Sequence, residues 1–168
     1  YLKVGRVDDA RAIAEWVEEK IAEGDDSLRS YAAEMWTTLG EPDRALEWWQ
    51  ILHLAAPEIP YYATAEAAAH YGTCDPDEAI AILRKQIKSA PTAQAYELLA
   101  EINLAQGEYR KAAGIAKIGL KTAPSPGLHR YYAENSELAG LITTDSLASA
   151  RALLASDPGH VQGSLLLA

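Results

Sequence analysis

Phenylalanine is absent from this 168-residue sequence, and cysteine and methionine occur once each. The lone Cys74 excludes an internal disulfide and leaves no cysteine cluster for zinc. No stretch of about 18 apolar residues occurs, so no segment reads as a membrane-spanning helix. Positive charge is in short supply: 15 Lys and Arg stand against 24 Asp and Glu, a formal net charge of −9. Such a surface repels phosphate backbones, so nucleic acid and anionic membranes are disfavoured as partners, and a neutral or cationic protein or peptide fits better. Glycine-rich phosphate loops are missing, as are the Gly-x-Ser-x-Gly and Ser-x-x-Lys nucleophile patterns. The sequence therefore predicts no catalytic residues, no cofactor and no metal. Residues 1–5 do not read as a signal peptide, and cytoplasm and periplasm are equally compatible with the chain.

What is abundant is alanine, with tyrosine and tryptophan supplying all the aromatic bulk. Alanine loses no side-chain entropy in a helix, so the chain leans to all-α structure. Small and bulky residues recur at a fixed interval. Pro57, Pro91, Pro124 and Pro158 are spaced 34, 33 and 34 residues apart. Ala33, Ala67 and Ala100 follow the same period, as do Ala45, Ala79 and Ala112. Small residues at these places let two helices approach closely, while bulky ones a turn away fill the remaining gaps. Gly40 and Gly107 suit the positive φ of a helix C-terminus. Each proline stops a helix, because it lacks an N–H and restricts its predecessor. The pattern predicts helices over 8–23, 27–39, 43–55, 60–72, 76–89, 93–106, 109–122, 127–140, 144–155 and 160–168. In the segment 127–160, Tyr132-Ala133 reads as the first-helix seam and Leu147, Ala150, Leu153 and Leu154 as the second-helix core.

The residues 93–126 carry a family resemblance. Tyr96-x-x-Leu99-Ala100-x-x-Asn103 resembles the Trp-x-x-Leu-Gly-x-x-Tyr run of the tetratricopeptide (TPR) repeat. Gly107-Glu108-Tyr109-x-x-Ala112 resembles its turn into the second helix, and a period near 34 is that family's. Leu39-Gly40-Glu41-Pro42-x-x-Ala45 and Asp75-Pro76-Asp77-Glu78-Ala79 repeat the turn. The resemblance implies a TPR-like α-solenoid, a right-handed superhelix of antiparallel helix pairs. It divides 1–168 into a partial repeat 1–25, repeats 26–59, 60–92, 93–126 and 127–160, and a partial repeat 161–168. The partial ends read as a piece of a longer protein.

Such repeats imply a concave groove lined by first helices that holds a partner protein. The residues matching that groove are Glu34, Tyr61, Thr64, Tyr71, Glu97, Glu101 and Tyr131, an acidic and aromatic lining suited to Lys or Arg of a partner. The Lys, Asn and Arg clamp by which some TPR domains grip a C-terminal carboxylate is replaced here by Ser30, Glu34, Ala65, Ala95 and Leu98, so that mode is not expected. Trp16, Trp36 and Trp49 fall on core positions. Trp48, beside Trp49, faces another way and is the candidate exposed anchor. His70 and Cys74 are four residues apart, but two ligands do not make a structural metal site. The functional reading is a non-catalytic protein-binding scaffold. The alternatives are a structural TPR segment of a bacterial envelope assembly for secretion or exopolysaccharide export, and a regulatory appendage of an enzyme. Apolar faces at the two ends, including Leu165, Leu166 and Leu167, predict self-association.

Overall fold

A computed structural model describes residues 7–21 and 25–159. The described residues form nine helices and no strand. They are α1 (Val7–Lys20), α2 (Asp26–Leu39), α3 (Pro42–Ala55), α4 (Pro60–Gly72), α5 (Pro76–Ser89), α6 (Ala93–Ala105), α7 (Tyr109–Thr122), α8 (Pro126–Leu138) and α9 (Thr144–Ser156). The expected helix over 160–168, with Leu165, Leu166 and Leu167, lies outside the described residues. The chain divides into two compact units, residues 1–82 and 83–168.

Each boundary has a chemical cause. α3, α5, α7 and α9 all end two residues before a proline, at Ala55, Ser89, Thr122 and Ser156. α3, α4, α5 and α8 begin on proline, whose missing N–H costs nothing in the first turn. Three first helices, α2, α6 and α8, are capped by side chains: Asp25 Oδ1 accepts from Leu28 N (3.1 Å), Thr92 Oγ1 from Ala95 N (3.3 Å) and Ser125 Oγ from Leu128 N (3.1 Å).

The turn from first to second helix is the same device four times. Gly40, Cys74, Gly107 and Gly140 all have positive φ, between 64° and 75°. At each, two backbone N–H groups fold back onto the preceding helix. Gly107 N donates to Leu104 O (2.9 Å) and Glu108 N to Asn103 O (2.9 Å), and the other three repeat that pairing. A Cβ added at Gly40, Gly107 or Gly140 would meet nothing within 4 Å, so the demand there is for the backbone angle, not for room. Cys74 meets that demand with a side chain. It lies beyond the end of α4, so its i, i+4 relation to His70 is not a helical one.

The small-residue seams are buried as the period requires. Ala33, Ala67, Ala100, Ala79 and Ala112 have no exposed surface and Ala45 has almost none. In the first unit, Trp36, Trp49 and Leu52 fill the gaps beside this seam and Ala14. Trp49 rests its indole against Tyr61 edge-on (5.5 Å between centroids) and donates its N–H to Thr37 Oγ1 (3.0 Å). In the second unit Tyr96, Ala100, Ala113, Ala116, Leu128, Tyr131 and Tyr132 form the corresponding cluster.

The last helix pair departs from the expected register. Ala45, Ala79 and Ala112 each follow the positive-φ residue by five positions, but the matching buried residue in α9 is Ser146, six positions after Gly140. α9 begins four residues after Gly140, where α3, α5 and α7 begin two residues after their positive-φ residue, so the turn holds two extra residues. The core of α9 is therefore Ser146, Ser149, Ala150 and Leu153, while Leu147 and Leu154 are only half-buried. Ser146 is accommodated there by a capping box with Thr143.

Trp16 also departs from expectation. It is 59% exposed, because α1 buries the stripe Ala10, Ala14 and Val17, and Trp16 stands beside that stripe. Lys20 covers part of its ring at 5.8 Å.

Replacing Cys74 by glycine should raise stability by about 1 kcal/mol, the cost of holding a side-chain-bearing residue in the left-handed region. Gly107→Ala should lower it by a similar amount. Urea unfolding of the two variants checks both signs.

Candidate interaction surface

The fold brings the expected groove residues together differently in the two units. In the first unit α2 and α4 are the first helices. Glu34 of α2 is exposed, and the Tyr61 phenol of α4 donates to its Oε1 over 3.4 Å. Tyr61 is 52% exposed and keeps its ring edge on Trp49. Partial burial and the Glu34 carboxylate both raise the Tyr61 pKa. Thr64 is half-buried with its hydroxyl donated to Pro60 O (3.0 Å), and Tyr71 is half-buried near the end of α4. Tyr31, which sequence reasoning did not select, is 54% exposed. It lines a hollow of about 210 Å³ with Glu34, Met35, Thr38 and Leu39 of α2 and Ala10 of α1. A second hollow of about 340 Å³ lies among Thr37, Gly40, Pro42, Ala45, Ala68, Ala69 and Gly72. Gly72 approaches Pro42 so closely there that an added Cβ would stand 2.7 Å from the proline Cβ.

In the second unit the corresponding groups are spent on one another. Tyr131 is 7% exposed and its hydroxyl donates to Glu101 Oε2 over 3.1 Å. Arg130 lies over the Tyr131 ring at 4.7 Å. Burial, then the Glu101 carboxylate, push the Tyr131 phenol up to about 12, with Arg130 opposing. Glu97 is half-buried and its Oε1 accepts from Ser125 Oγ over 2.5 Å. A Cβ at Gly127 would come within 2.3 Å of that same oxygen, so α8 lies directly on Glu97. Glu97, Glu101 and Tyr131 thus form the α6–α8 joint. Glu134 is half-buried and Asn135 fully buried, with Asn135 Nδ2 donating to Tyr131 O (2.7 Å).

Trp48 is not the exposed anchor. It is half-buried against the first-unit core and donates its indole N–H to Glu18 Oε1 at 2.6 Å. Trp36 donates to the same oxygen at 2.6 Å, and Arg44 pairs with the other one. The Arg44 guanidinium stacks over the Trp36 ring at 3.9 Å. Glu18 therefore gathers α1, α2 and α3 around one carboxylate. The signal in sequence was weak: a single acidic residue on a helix with several.

Histidines are satisfied locally. His53 Nδ1 is paired with Glu66, and His70 stands 3.9 Å from Glu66 and 3.6 Å from Asp75. Among the described residues no group of three His, Cys, Asp or Glu side chains is arranged to hold a metal ion, and Cys74 is exposed. No described helix is long and apolar enough to cross a membrane.

Solved structures with the same fold include TTC0263, a thermophilic TPR protein of Thermus thermophilus. It is 20% identical at a TM-score of 0.69, covering 98% of this chain and 90% of that one. MamA AMB-1 superposes with a TM-score of 0.67 at 21% identity, over 94% and 93% of the two chains. A MamA RS-1 double mutant gives 0.68 at 16%, over 84% and 81%. No family model and no curated protein sequence matches the chain. The likenesses establish the fold: an all-α array of TPR-type helix pairs.

Two measurements test the joints. Glu18→Ala should destabilise the protein by roughly 2–4 kcal/mol, since it leaves two indole N–H groups and a guanidinium without their acceptor. Calorimetry reads this, and a loss under about 1 kcal/mol would deny the carboxylate its role. For Tyr131 the native state holds a proton that the unfolded chain releases from about pH 10. Its contribution is complete below that pH and is lost as pH rises toward about 12. Urea titrations at about pH 9, 10 and 11 should show a steeper loss of stability in the wild type than in Tyr131→Phe.

Proposed function

We propose that this array of TPR-type helix pairs is a non-catalytic scaffold that docks a protein partner on the first-helix face of its first unit. The observation that carries the reading is the contrast in side-chain use. Tyr31 and Tyr61 stand exposed on α2 and α4 beside the exposed Glu34, whereas in the second unit Tyr131 is buried on Glu101 and Glu97 is half-buried under Ser125, with Glu101 alone of the three exposed. Exposed tyrosines beside a carboxylate offer contact area at low entropic cost together with a charge that selects basic groups.

The partner segment carries Lys or Arg for Glu34 and apolar bulk for Tyr61 and the hollow beside Tyr31. The formal charge of −9 supports the same sign of partner and argues against nucleic acid. Thr64 and Tyr71 lie on the same helix as Tyr61. Both are half-buried, and they frame the contact more than they form it.

The test is affinity capture with wild-type protein, Glu34→Lys, Tyr61→Ala and a surface control, Asp77→Lys. A specific partner should be retained by the wild type and the control, and weakened about tenfold or more by each of the other two. It should also be released by rising salt. Equal retention by all four proteins would remove the surface from consideration.

A further inference from the structure

The acidic surplus of the chain is confined to its first unit. Residues 1–82 hold 6 Lys and Arg against 17 Asp and Glu, a formal −11, whereas residues 83–168 hold 9 against 7, a formal +2. The second helices show where the sign changes. Counting from the buried seam residues Ala10, Ala45, Ala79, Ala112 and Ser146, the fifth residue on is Glu15 in α1, Gln50 in α3, Arg84 in α5, Lys117 in α7 and Arg151 in α9. The ninth is Glu19, Leu54, Lys88, Lys121 and Ala155. These positions lie about 140° and 180° around the helix from the seam, so they point outward. All are exposed except Lys117, which is half-buried and donates to Asp145 Oδ2 (2.8 Å). Arg84, Lys88, Lys121 and Arg151 enter no ion pair among the described residues. One outward row is thus acidic on α1 and basic across the second helices of the second unit. We infer that the basic second-helix face of the second unit docks on the acidic second-helix face of the first unit in a second copy of this chain.

Charge complementarity selects this occupant. The chain itself supplies the anions that the row needs: Glu19, Asp43 and Glu47 are exposed on α1 and α3 and enter no ion pair among the described residues. The spacing matches as well. Glu15 and Glu19 stand four residues apart, as do Arg84 and Lys88, and Lys117 and Lys121, so carboxylates and cations one helical turn apart meet in step. Exposed ion pairs bind weakly by themselves, and a stable contact needs an apolar centre. Both faces have one: Trp16 and Leu54 are 59% and 85% exposed in the first unit, and Ile118 is 58% exposed in the second. Trp16 and Ile118 occupy the same place, six residues after Ala10 and Ala112, beside the charged row. A phosphate backbone would answer the cations and leave Ile118 uncovered; a second copy answers both. Two copies of formal −9 repel least when a first unit faces a second, the arrangement this docking makes.

This face is distinct from the first-helix face of the proposed scaffold, and its test is separate. Sedimentation velocity on the full chain at about 0.1 M salt is suitable, because charges more than about 10 Å apart are then largely screened and the facing rows dominate. Concentration-dependent association is expected, with Kd on the order of 10–100 µM. Lys88→Glu with Lys121→Glu, and separately Glu19→Lys with Glu47→Lys, should each weaken it about tenfold or more. Circular dichroism should be unchanged in both, since all four side chains are exposed. An equimolar mixture of the two double variants should recover the wild-type affinity, because each face again meets the opposite charge. Glu34→Lys should leave association as it was. A monomer at every concentration would overturn the inference, as would association that both double variants retain or a mixture that fails to associate. So would a fluorescein-labelled DNA duplex, or vesicles containing phosphatidylserine, bound by the wild type and released by Lys88→Glu with Lys121→Glu while the protein alone stays monomeric; the row then serves a phosphate.

Discussion

Close approach of two helix backbones across an alanine seam is the constraint on which the rest depends. Ala33, Ala67 and Ala100 on first helices and Ala45, Ala79 and Ala112 on second helices are buried almost completely. A larger side chain at any of them would have to be met by movement of a neighbouring helix, since well-packed interiors absorb added methylenes poorly. The tight turn follows from the same need. Helices this close must reverse within a few residues, and a left-handed residue that folds two N–H groups back onto the preceding helix does so while satisfying its last carbonyls. Repeating the turn at Gly40, Cys74, Gly107 and Gly140 keeps each pair alike, even where Cys74 bears the strain of a side chain.

Given that frame, the two units differ in what is left over. The carboxylate–tyrosine pairing appears twice between successive first helices, as Glu34 with Tyr61 and as Glu101 with Tyr131. In the second unit its tyrosine is buried and the bond short (3.1 Å); in the first the tyrosine is exposed and the bond long (3.4 Å). A hydrogen bond in a protected setting is stronger, so identical chemistry makes a joint in one place and leaves its groups exposed in the other. Interaction capacity in such an array is set by which repeat positions neighbouring helices leave uncovered, more than by residue type.

This explains what could and could not be read from the sequence. Helix number, order and ends were legible among the described residues, because prolines, glycines and alanines act locally and recur with the period. The buried Trp36 and Trp49 followed from the same periodicity. Trp16 and Trp48 did not: a tryptophan beside the apolar stripe reads much like one within it, and the Glu18 oxygen that fixes both Trp36 and Trp48 comes from another helix 18 and 30 residues away. Which of the first-helix tyrosines and carboxylates are exposed was not legible. Nothing in the local pattern says that α6 and α8 pack together over Glu97 and Tyr131 while Tyr31 stays 54% exposed. The two-residue lengthening of the turn before α9 was hidden because serine at position 146 offers no apolar signal, although it is the residue that is buried.

The acidic surplus also gains a structural meaning from these placements. Glu18, Glu97 and Glu101 are engaged with indole, hydroxyl, phenol or guanidinium donors, and Glu66 with His53. These four carboxylates are thus acceptors that tie neighbouring helices in an alanine-rich array whose seams offer packing but no directional bonds. Packing alone leaves a helix free to slide along a smooth seam; a carboxylate held between donors on two or three helices fixes the register. Most of the described carboxylates nevertheless stay exposed, and among them Glu34 stands beside the exposed Tyr31 and Tyr61.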